Sequence, residues 1–169
     1  MPTAFLLVSS QQMADPRFQQ TVLVVTRHGN TGPVGIIINR PEKVMLDEVF
    51  PSHPTAKNIA VLNGGPVYPA QFSYLVRGAE PTSNTLKISG ETCLGYDTKI
   101  LEEMLDGKRS YKDLRVAHGM ATWAPGQLEY EIKLGDWTAI PIDDALIFDR
   151  PTSELWLELN QRVTHMHEL

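Results

Sequence analysis

Short runs of apolar and β-branched residues follow one another along most of this chain of 169 residues. Side chains branched at Cβ favour strands, and residues typical of turns separate the runs. The pattern predicts strands at residues 4–8, 21–26, 34–39, 59–62, 72–76, 85–88, 114–118, 137–140 and 145–148. Because strands mostly follow strands directly, we expect an α+β domain with a mixed or largely antiparallel sheet rather than a doubly wound parallel fold.

Helical signals interrupt this order at four places. They predict helices at residues 45–50, 98–105 and 125–134, and a last helix from residue 151 onward. Asp97 is a suitable N-cap for the second helix, and Gly107 stands where a left-handed residue commonly ends a helix. Pro125 and Pro151 stand at first helical positions, where a proline removes no intrahelical hydrogen bond.

Length and composition favour a single domain spanning residues 1–169, located in the cytoplasm. A chain of this length can bury a core within one domain. Its longest apolar runs have about five residues, whereas a membrane-spanning helix needs roughly 20. The first residues lack the basic segment of a secretory signal. The single cysteine, Cys93, has no intramolecular disulfide partner, which agrees with a reducing compartment.

Motifs of catalysis, nucleotide binding and metal binding are missing from the sequence. The glycine-rich segments lack the Gly-Lys-Ser/Thr of a P-loop and the glycine spacing of a dinucleotide-binding turn. No Gly-x-Ser-x-Gly segment is present, and only His165 and His167 form a close histidine pair. We therefore expect no cofactor and no metal, and the missing acid–base or nucleophile set argues against an enzyme.

Two turn segments are candidates for binding. Asn63-Gly64-Gly65-Pro66 follows a predicted strand, and we favour a turn that needs positive φ over a set of backbone amides that binds an anion. Trp123 precedes Pro125-Gly126-Gln127 at a predicted helix start. We favour Trp123 as a core residue, and the alternative is a platform on which a planar ligand stacks.

These segments define one candidate ligand-binding site. If strands 59–62 and 114–118 are parallel neighbours, the turns that follow them lie on the same rim of the sheet. Residues at the ends of the hairpin strands 21–26 and 34–39 are expected to add a polar wall. The candidate residues are Arg27, Asn39, Gly64, Gly65, Trp123, Gly126 and Gln127.

Several motifs together resemble the AlgH/YqgE family of bacterial proteins. They are Met13-Ala14-Asp15-Pro16-Arg17-Phe18, Gly35-Ile36-Ile37-Ile38-Asn39-Arg40-Pro41, Gly64-Gly65-Pro66-Val67 and Trp123-Ala124-Pro125-Gly126-Gln127-Leu128-Glu129. The resemblance implies an α+β domain whose sheet folds into a partly closed, barrel-like core. Family members have been called transcriptional regulators, and the resemblance supplies no catalytic residues. One departure is Thr122, where the family commonly has a glycine before the tryptophan.

Three classes of function remain open from the sequence. The first is a cytosolic interaction or regulatory protein that acts through an unidentified protein partner. The second is a binder of a small ligand, nucleotide or anion at the candidate site. The third is an enzyme with unrecognised catalytic residues. The missing catalytic set favours the first two classes, in that order.

We predict that the purified protein does not bind duplex DNA at physiological salt. Its net charge is −5, and its 15 Lys and Arg residues are scattered along the chain. DNA binding requires a basic surface that neutralises phosphates, and no helix-turn-helix pattern is evident. A mobility-shift titration tests this. A salt-sensitive shift with sub-micromolar affinity and preference for one operator would contradict it.

Overall fold

Strands dominate the structure, a computed structural model that describes residues 3–27 and 31–168. Within these residues, the strands are β1 (Ala4–Ser9), β2 (Val22–Thr26), β3 (Val34–Ile37), β4 (Pro41–Met45), β5 (Ala60–Asn63), β6 (Val67–Arg77), β7 (Thr85–Ser89), β8 (Thr92–Gly95), β9 (Asp113–Thr122) and β10 (Trp137–Ile140). The helices are α1 (Leu46–Val49), α2 (Thr98–Leu105), α3 (Gln127–Lys133), α4 (Asp144–Phe148) and α5 (Thr152–Glu168), and a 3-10 helix spans Pro54–Asn58. None of these helices combines the length and apolar character needed to cross a bilayer.

The strands belong to one curled sheet that forms a half-barrel. Its order is β10-β1-β2-β3-β9-β6-β8-β7, and β5 joins the small β4–β5 pair to β9. The β5–β9 pairing is parallel and aligns Asn63 with His118, whereas the other described pairings are antiparallel. The predicted α+β class, the largely antiparallel sheet and the partly closed barrel are therefore confirmed.

Both faces of the sheet are buried, which explains the uninterrupted apolar runs of the first strands. Successive residues of a strand point to opposite faces. Leu6 and Val8 accordingly pack in a cluster with α4 and α5, whereas Phe5 and Leu7 pack in a cluster with α3. A third cluster joins α1 and α2 to the other half of the sheet, around β6, β8 and β9.

The local signals for the two ends of α2 and for the first hairpin are confirmed. The Asp97 carboxylate accepts a hydrogen bond of 2.8 Å from the backbone N–H of Lys99, and Gly107 has a φ of +79° just after α2. Strands β2 and β3 pair in antiparallel register. The turn predicted between them includes residues 28–30, which lie outside the described residues.

The strand predicted at residues 145–148 is wrong, because these residues form α4. The Asp143 carboxylate caps this helix by accepting a hydrogen bond of 2.8 Å from the backbone N–H of Ala145. The three large apolar side chains of α4 are all buried. A short, fully buried apolar run has the same pattern in a strand and in a helical turn, so periodicity does not separate the two.

The predicted start of α3 is also wrong. Pro125 lies two residues before the helix, and Gly126 is the N-cap with a φ of +83°. A glycine adopts this left-handed conformation without the steric cost that a Cβ atom imposes. The Pro-Gly pair therefore sets the direction of the chain between β9 and α3, and it is not the first turn of the helix.

Strands β4 and β8 were not predicted, and β6 and β9 are longer than predicted. Pro41 follows the predicted strand 34–39 and begins β4, a position where a proline removes no required hydrogen bond. Among the described strands only β5 pairs with β4, so one edge of β4 needs no backbone donors. The sequence pattern of such segments is weak, and they form strands because they pair with neighbouring strands.

A cluster of opposite charges fastens the α4–α5 connection to the sheet. The Arg77 guanidinium donates to Asp113 Oδ2 from Nε at 2.8 Å and to Asp149 Oδ1 from Nη2 at 2.6 Å. It also lies 5.2 Å from the centre of the Phe148 ring. The side chain of Arg77 is only 9% exposed, so its charge depends on these two carboxylates for compensation.

We predict that Asp149→Asn destabilises the protein at neutral pH and that its disadvantage shrinks in acid. The hydrogen bond from Arg77 lowers the pKa of Asp149 below its ordinary value, which is about 3.9 in an unfolded chain. The stabilisation is complete above that value and is lost as the pH falls through the lower folded-state pKa. Urea unfolding at several pH values between neutral and strongly acid measures the difference.

The control for this experiment is Glu91→Gln, which removes an exposed carboxylate that has no ion pair with a described side chain. Its stability should follow that of the wild-type protein at each pH. A constant gap between the Asp149→Asn and wild-type proteins down to the lowest pH would show that Asp149 does not carry this dependence.

Candidate functional site

A cleft of about 520 Å³, which we call the Trp123 cleft, lies at the predicted site. It lies where β9 ends, between α3 and the loop that follows β1. Its walls are Gln12, Met13, Ala14, Asp15, Arg17, Phe18, Pro66, Val67, Ala121, Thr122, Trp123, Gln127, Tyr130, Glu131, Leu134, Asp136 and Trp137. A volume of this size is within the range of small-molecule and side-chain binding sites.

Three aromatic rings, of which Trp137 contacts the other two, form the base of the cleft. Trp123 and Trp137 meet edge to face with ring centres 6.2 Å apart, and Phe18 meets Trp137 with ring centres 5.7 Å apart. This is the arrangement that aromatic quadrupoles favour. Trp123 and Trp137 are nearly fully buried, with exposed fractions of 7% and 3%. The favoured interpretation of Trp123 as a core residue agrees with this packing.

The Glu131 carboxylate holds the two indoles in place. Its Oε1 atom accepts hydrogen bonds from Trp123 Nε1 at 3.2 Å and from Trp137 Nε1 at 3.0 Å. Its Oε2 atom accepts one from Gln127 Nε2 at 2.8 Å. Hydrogen bonds to an ionised acceptor are stronger than neutral ones. Glu131 thus couples the helix, the end of β9 and the start of β10 through one charged group.

The other wall of the cleft is a loop, residues 10–20, that is held by side chains from the Asn39-Arg40 motif. The Arg40 guanidinium donates to the backbone carbonyls of Pro16, Arg17 and Gln19. In a loop without regular secondary structure, such carbonyls have no backbone N–H as a hydrogen-bond partner, and the Arg40 side chain supplies the donors. The Met-x-Asp-Pro-x-Phe segment and the Asn-Arg-Pro segment, far apart in sequence, therefore form one structural unit.

Within this loop, Asp15 and Arg17 neutralise each other. Arg17 Nη2 lies 2.7 Å from Asp15 Oδ2, and the backbone N–H of Arg17 donates to Asp15 Oδ1 at 2.9 Å. These hydrogen bonds lower the pKa of Asp15. The pair is well exposed, so it shapes the rim of the cleft and adds little to stability.

Two glycines allow the backbone and the Trp123 ring to approach closely. A Cβ atom on Gly35 would lie 2.9 Å from the Trp123 ring, and a Cβ atom on Gly32 would lie 1.7 Å from the Trp123 carbonyl oxygen. Any other residue would force these groups apart. Gly35, the first residue of one motif, is therefore required because Trp123, the first residue of another motif, packs against it.

The structure brings together part of the predicted site. Strands β5 and β9 are parallel neighbours, which is the condition on which the shared rim depended. The turns after them meet at the cleft, since Pro66 and Val67 line the same cavity as Trp123 and Gln127. Gly126 lies just before α3, and no described atom comes within 4 Å of the position of a Cβ atom there.

The two neighbouring glycines, Gly64 and Gly65, serve the turn itself. The N–H of Gly64 donates to the His118 carbonyl at 2.8 Å, and that of Gly65 donates to Asn63 Oδ1 at 3.1 Å. Gly65 has a φ of +148° and packs against the backbone of Met120. Both amides are thus engaged within the protein, which agrees with the turn interpretation and leaves neither amide turned to an anion.

The expected polar wall of Arg27 and Asn39 is not formed, because these residues lie at opposite ends of β2. Arg27 follows β2 and pairs with Glu129 of α3 at 2.5 Å. Asn39 accepts from the backbone N–H of Val22, at the start of β2, and donates to the Gln20 carbonyl. In an antiparallel hairpin the ends of successive strands lie on opposite edges, so the two side chains were never able to meet.

Sequence reasoning missed several residues of the cleft, namely Phe18, Tyr130, Glu131, Leu134 and Trp137. Two spacings in the sequence indicate that part of this set lies on one face of a helix. Gln127 and Glu131, and likewise Tyr130 and Leu134, are four residues apart and so share a face of a helix. The contribution of Phe18 follows from the folding of the loop over the sheet and has no local signal.

The lining of the cleft is about equally polar and apolar, and its charged residues have an acidic balance. Asp15, Glu131 and Asp136 are opposed by Arg17 alone among the charged residues that line it. The Glu131 oxygens carry three N–H donors, and Asp15 is paired with Arg17. Within the described residues, no group of three or more His, Cys, Asp or Glu side chains is arranged to hold a metal ion. The arrangement is suited to contact with an apolar group.

We predict that Trp123→Ala lowers the free energy of unfolding by about 3–5 kcal/mol, because it empties a buried aromatic site and leaves Glu131 without one donor. Denaturant unfolding measures this loss. Tyr130→Ala is the matched control on the same cleft, where an exposed side chain should change stability by about 0.5 kcal/mol or less. An unchanged midpoint for Trp123→Ala would overturn the core interpretation.

Comparison with known proteins places the chain in one family over nearly its whole length. A sequence model described as AlgH-like matches residues 6–167. A UPF0301 protein of Psychrobacter sp. (strain PRwf-1) is 30% identical over 169 residues, covering 95% of this chain and 89% of the relative. A UPF0301 protein of Methylococcus capsulatus is 34% identical over 156 residues, covering 89% of this chain and 82% of the relative.

Solved structures show the same fold. The solution structure of the AlgH protein from Pseudomonas aeruginosa has a TM-score of 0.78 and 28% identity, covering 95% of this chain and 88% of that one. The crystal structure of a Corynebacterium diphtheriae protein has a TM-score of 0.80 with 22% identity, covering 96% and 87%, and shows the fold alone. The motifs, the half-barrel sheet and these matches agree, and the chain belongs to the AlgH-like family.

Proposed function

We propose that this protein is a cytoplasmic interaction module that docks an apolar side chain of a partner protein in the Trp123 cleft. The observation that carries the proposal is the exposure of two large side chains at the mouth of an aromatic cleft. Tyr130 and Leu134 are 62% and 60% exposed, and they lie one turn apart on and just beyond α3. Aromatic residues of this kind are enriched at the centres of protein interfaces.

The rigidity of the cleft supports binding with little rearrangement. The Glu131 hydrogen bonds fix both indoles, and the Arg40 contacts fix the opposite wall. Binding to a preformed surface avoids the entropic cost of ordering side chains. The exposed Tyr130 and Leu134 side chains have the freedom to adapt to the partner, whereas the base of the cleft does not.

The charges around the cleft indicate the chemistry of the partner. Three carboxylates and one arginine line it, and the whole chain carries a net charge of −5. A segment with an apolar or aromatic anchor flanked by Lys or Arg is complementary to this surface. Any regulatory effect of the protein would then act through the partner, in agreement with the expected absence of direct DNA binding.

The alternative of a nucleotide or anion binder receives less support. The Arg27 guanidinium is paired with Glu129, and the Glu129 carboxylate also accepts from its own backbone N–H at the start of α3. That backbone hydrogen bond and the contact with Arg27 both lower the pKa of Glu129. The start of α3 therefore already holds a negative charge, and a second anion there would be repelled.

The test is site-specific photo-crosslinking in the protein's own host at native abundance. A photoreactive amino acid replaces Tyr130 or Leu134, and Leu157 of α5 is the control because it is 56% exposed and lies outside the cleft. We expect a discrete crosslinked partner from the two cleft positions and none from position 157. The double variant Tyr130→Ser, Leu134→Ser should lose that partner in affinity capture while keeping wild-type stability.

Equal crosslinking at position 157, or retention of the partner by the double variant, would contradict docking in the cleft. A crosslink to a small molecule in place of a protein would favour the ligand-binding alternative. The stability measurement separates loss of binding from loss of folding, because both substituted side chains are exposed.

A further inference from the structure

A bulge interrupts β6 beside the Trp123 cleft. Val67 of β6 pairs with Met120 of β9. The next pair joins Phe72 to His118, so residues 68–71 of β6 stand opposite a single residue of β9. Extra residues of this kind leave the ladder and bend the strand outward. Residues 68–71, which we call the β6 bulge, are all exposed.

The bulge begins with a tyrosine in a strained backbone conformation. Tyr68 has a φ of +49°, in the left-handed region where a Cβ atom meets steric resistance. Within the described residues, Gln20 at +54° is the other non-glycine residue with such a φ. For a bulky side chain this conformation is an outlier, and it persists only where the surrounding structure holds it.

Contacts with the neighbouring strands hold the bulge in this conformation. The His118 ring donates from Nδ1 to the Pro69 carbonyl at 3.0 Å, because a carbonyl oxygen can only accept. The Nε2 atom of the same ring lies 2.9 Å from Glu42 Oε1 of β4. The backbone beside Tyr68 is therefore fixed by contacts in which the tyrosine ring takes no part.

The Tyr68 ring contributes little to the fold. It is 63% exposed and belongs to none of the three buried clusters. Its hydroxyl makes no hydrogen bond with a described residue. A glycine would adopt the same backbone conformation without the steric cost. The strained backbone thus presents to solvent a large ring that the fold does not require, which indicates a role in binding.

The position of Tyr68 connects it to the Trp123 cleft. Pro66 and Val67, the two residues just before it, both line the cleft. The exposed Tyr130 and Leu134 side chains line the cleft from the side of α3. Tyr68 therefore stands at the β6 side of the cleft, and a segment that leaves the cleft on this side passes its ring.

The charges of the cleft indicate which group would pack on the Tyr68 ring. Three carboxylates, those of Asp15, Glu131 and Asp136, line the cleft against Arg17 alone. The chain as a whole has a net charge of −5. A cation is attracted both by this field and by the negative face of an exposed tyrosine ring. A Lys or Arg of the docked segment is therefore the complementary group.

We propose that Tyr68 is a second contact for the partner and binds a Lys or Arg beside the partner's apolar anchor through a cation–π contact. The inference rests on the proposed docking in the Trp123 cleft, and it specifies the partner's binding segment. That segment places its apolar anchor in the cleft and its basic residue over the β6 bulge. The strain at Tyr68 then has a function, because it holds the ring out toward the partner.

The probe is a photoreactive amino acid at position 68, introduced in the protein's own host and compared with the same probe at positions 130 and 134. We expect all three positions to crosslink the same segment of the same protein. Mass spectrometry of the crosslinked peptides should show a Lys or Arg in that segment. The purified partner then serves for affinity measurements.

The decisive variant is Tyr68→Gly, which relieves the strain and removes the ring. Its midpoint of urea unfolding should equal or exceed that of the wild type, because glycine tolerates the left-handed conformation. It should bind the partner about five-fold more weakly or worse, as loss of a cation–π contact predicts. Tyr68→Ala, which retains a Cβ atom, should bind as weakly and have a lower midpoint than Tyr68→Gly.

Two controls separate the ring from the strain. Tyr68→Phe retains the aromatic face and should bind the partner as the wild type does. Gln20→Gly relieves the same left-handed strain at an exposed residue that does not line the cleft, and it should leave binding of the partner unchanged.

The contradicting outcomes distinguish this inference from the docking on which it rests. Crosslinks at positions 130 and 134 without one at 68 would exclude Tyr68 and leave docking in the cleft intact. Full affinity of Tyr68→Gly, or a crosslinked segment without Lys or Arg, would exclude the cation–π contact. A lower midpoint of Tyr68→Gly than of the wild type would show that the ring serves the fold. No crosslink at any of the three positions would overturn the docking and this inference together.

Discussion

Strand β9 is the constraint on which the rest of the structure depends. It pairs with β3 on one side, with β6 on the other, and with β5 in parallel register along part of its length. The two halves of the curled sheet therefore meet at this strand. Where β9 ends, it delivers Trp123 onto the face that carries α3. The position of the cleft is a consequence of the sheet order, because the end of β9 lies beside both the turn at Pro66-Val67 and α3.

The motifs that carry the family resemblance act mainly as structural supports. Gly35 leaves space for the Trp123 ring, Arg40 binds the carbonyls of the loop over the cleft, and Asn39 fixes the start of β2. Each contact joins segments far apart in sequence, and losing any of them exposes a buried polar group or creates a clash. The motifs therefore identify the family without indicating a reaction, because they specify a backbone arrangement. The docking proposed here depends on other side chains, Tyr130 and Leu134.

The Trp123 cleft combines engaged polar groups with exposed apolar ones. The Glu131 oxygens accept three N–H donors and Asp15 is paired with Arg17, whereas Tyr130 and Leu134 at the mouth are exposed. A surface of this kind suits a partner that supplies apolar surface, and the proposed docking would remove that surface from water.

The sequence by itself determined the local structure: the strands of β-branched residues, the cap of α2 at Asp97, the left-handed Gly107 and the α+β class. These features depend on neighbours within about four residues, which the sequence displays directly. Only the tertiary structure decided that residues 144–148 are helical and that Arg27 and Asn39 are apart. Those outcomes depend on which strands become neighbours. Strand order is set by burying all the apolar faces at once, so no single segment of the sequence contains it.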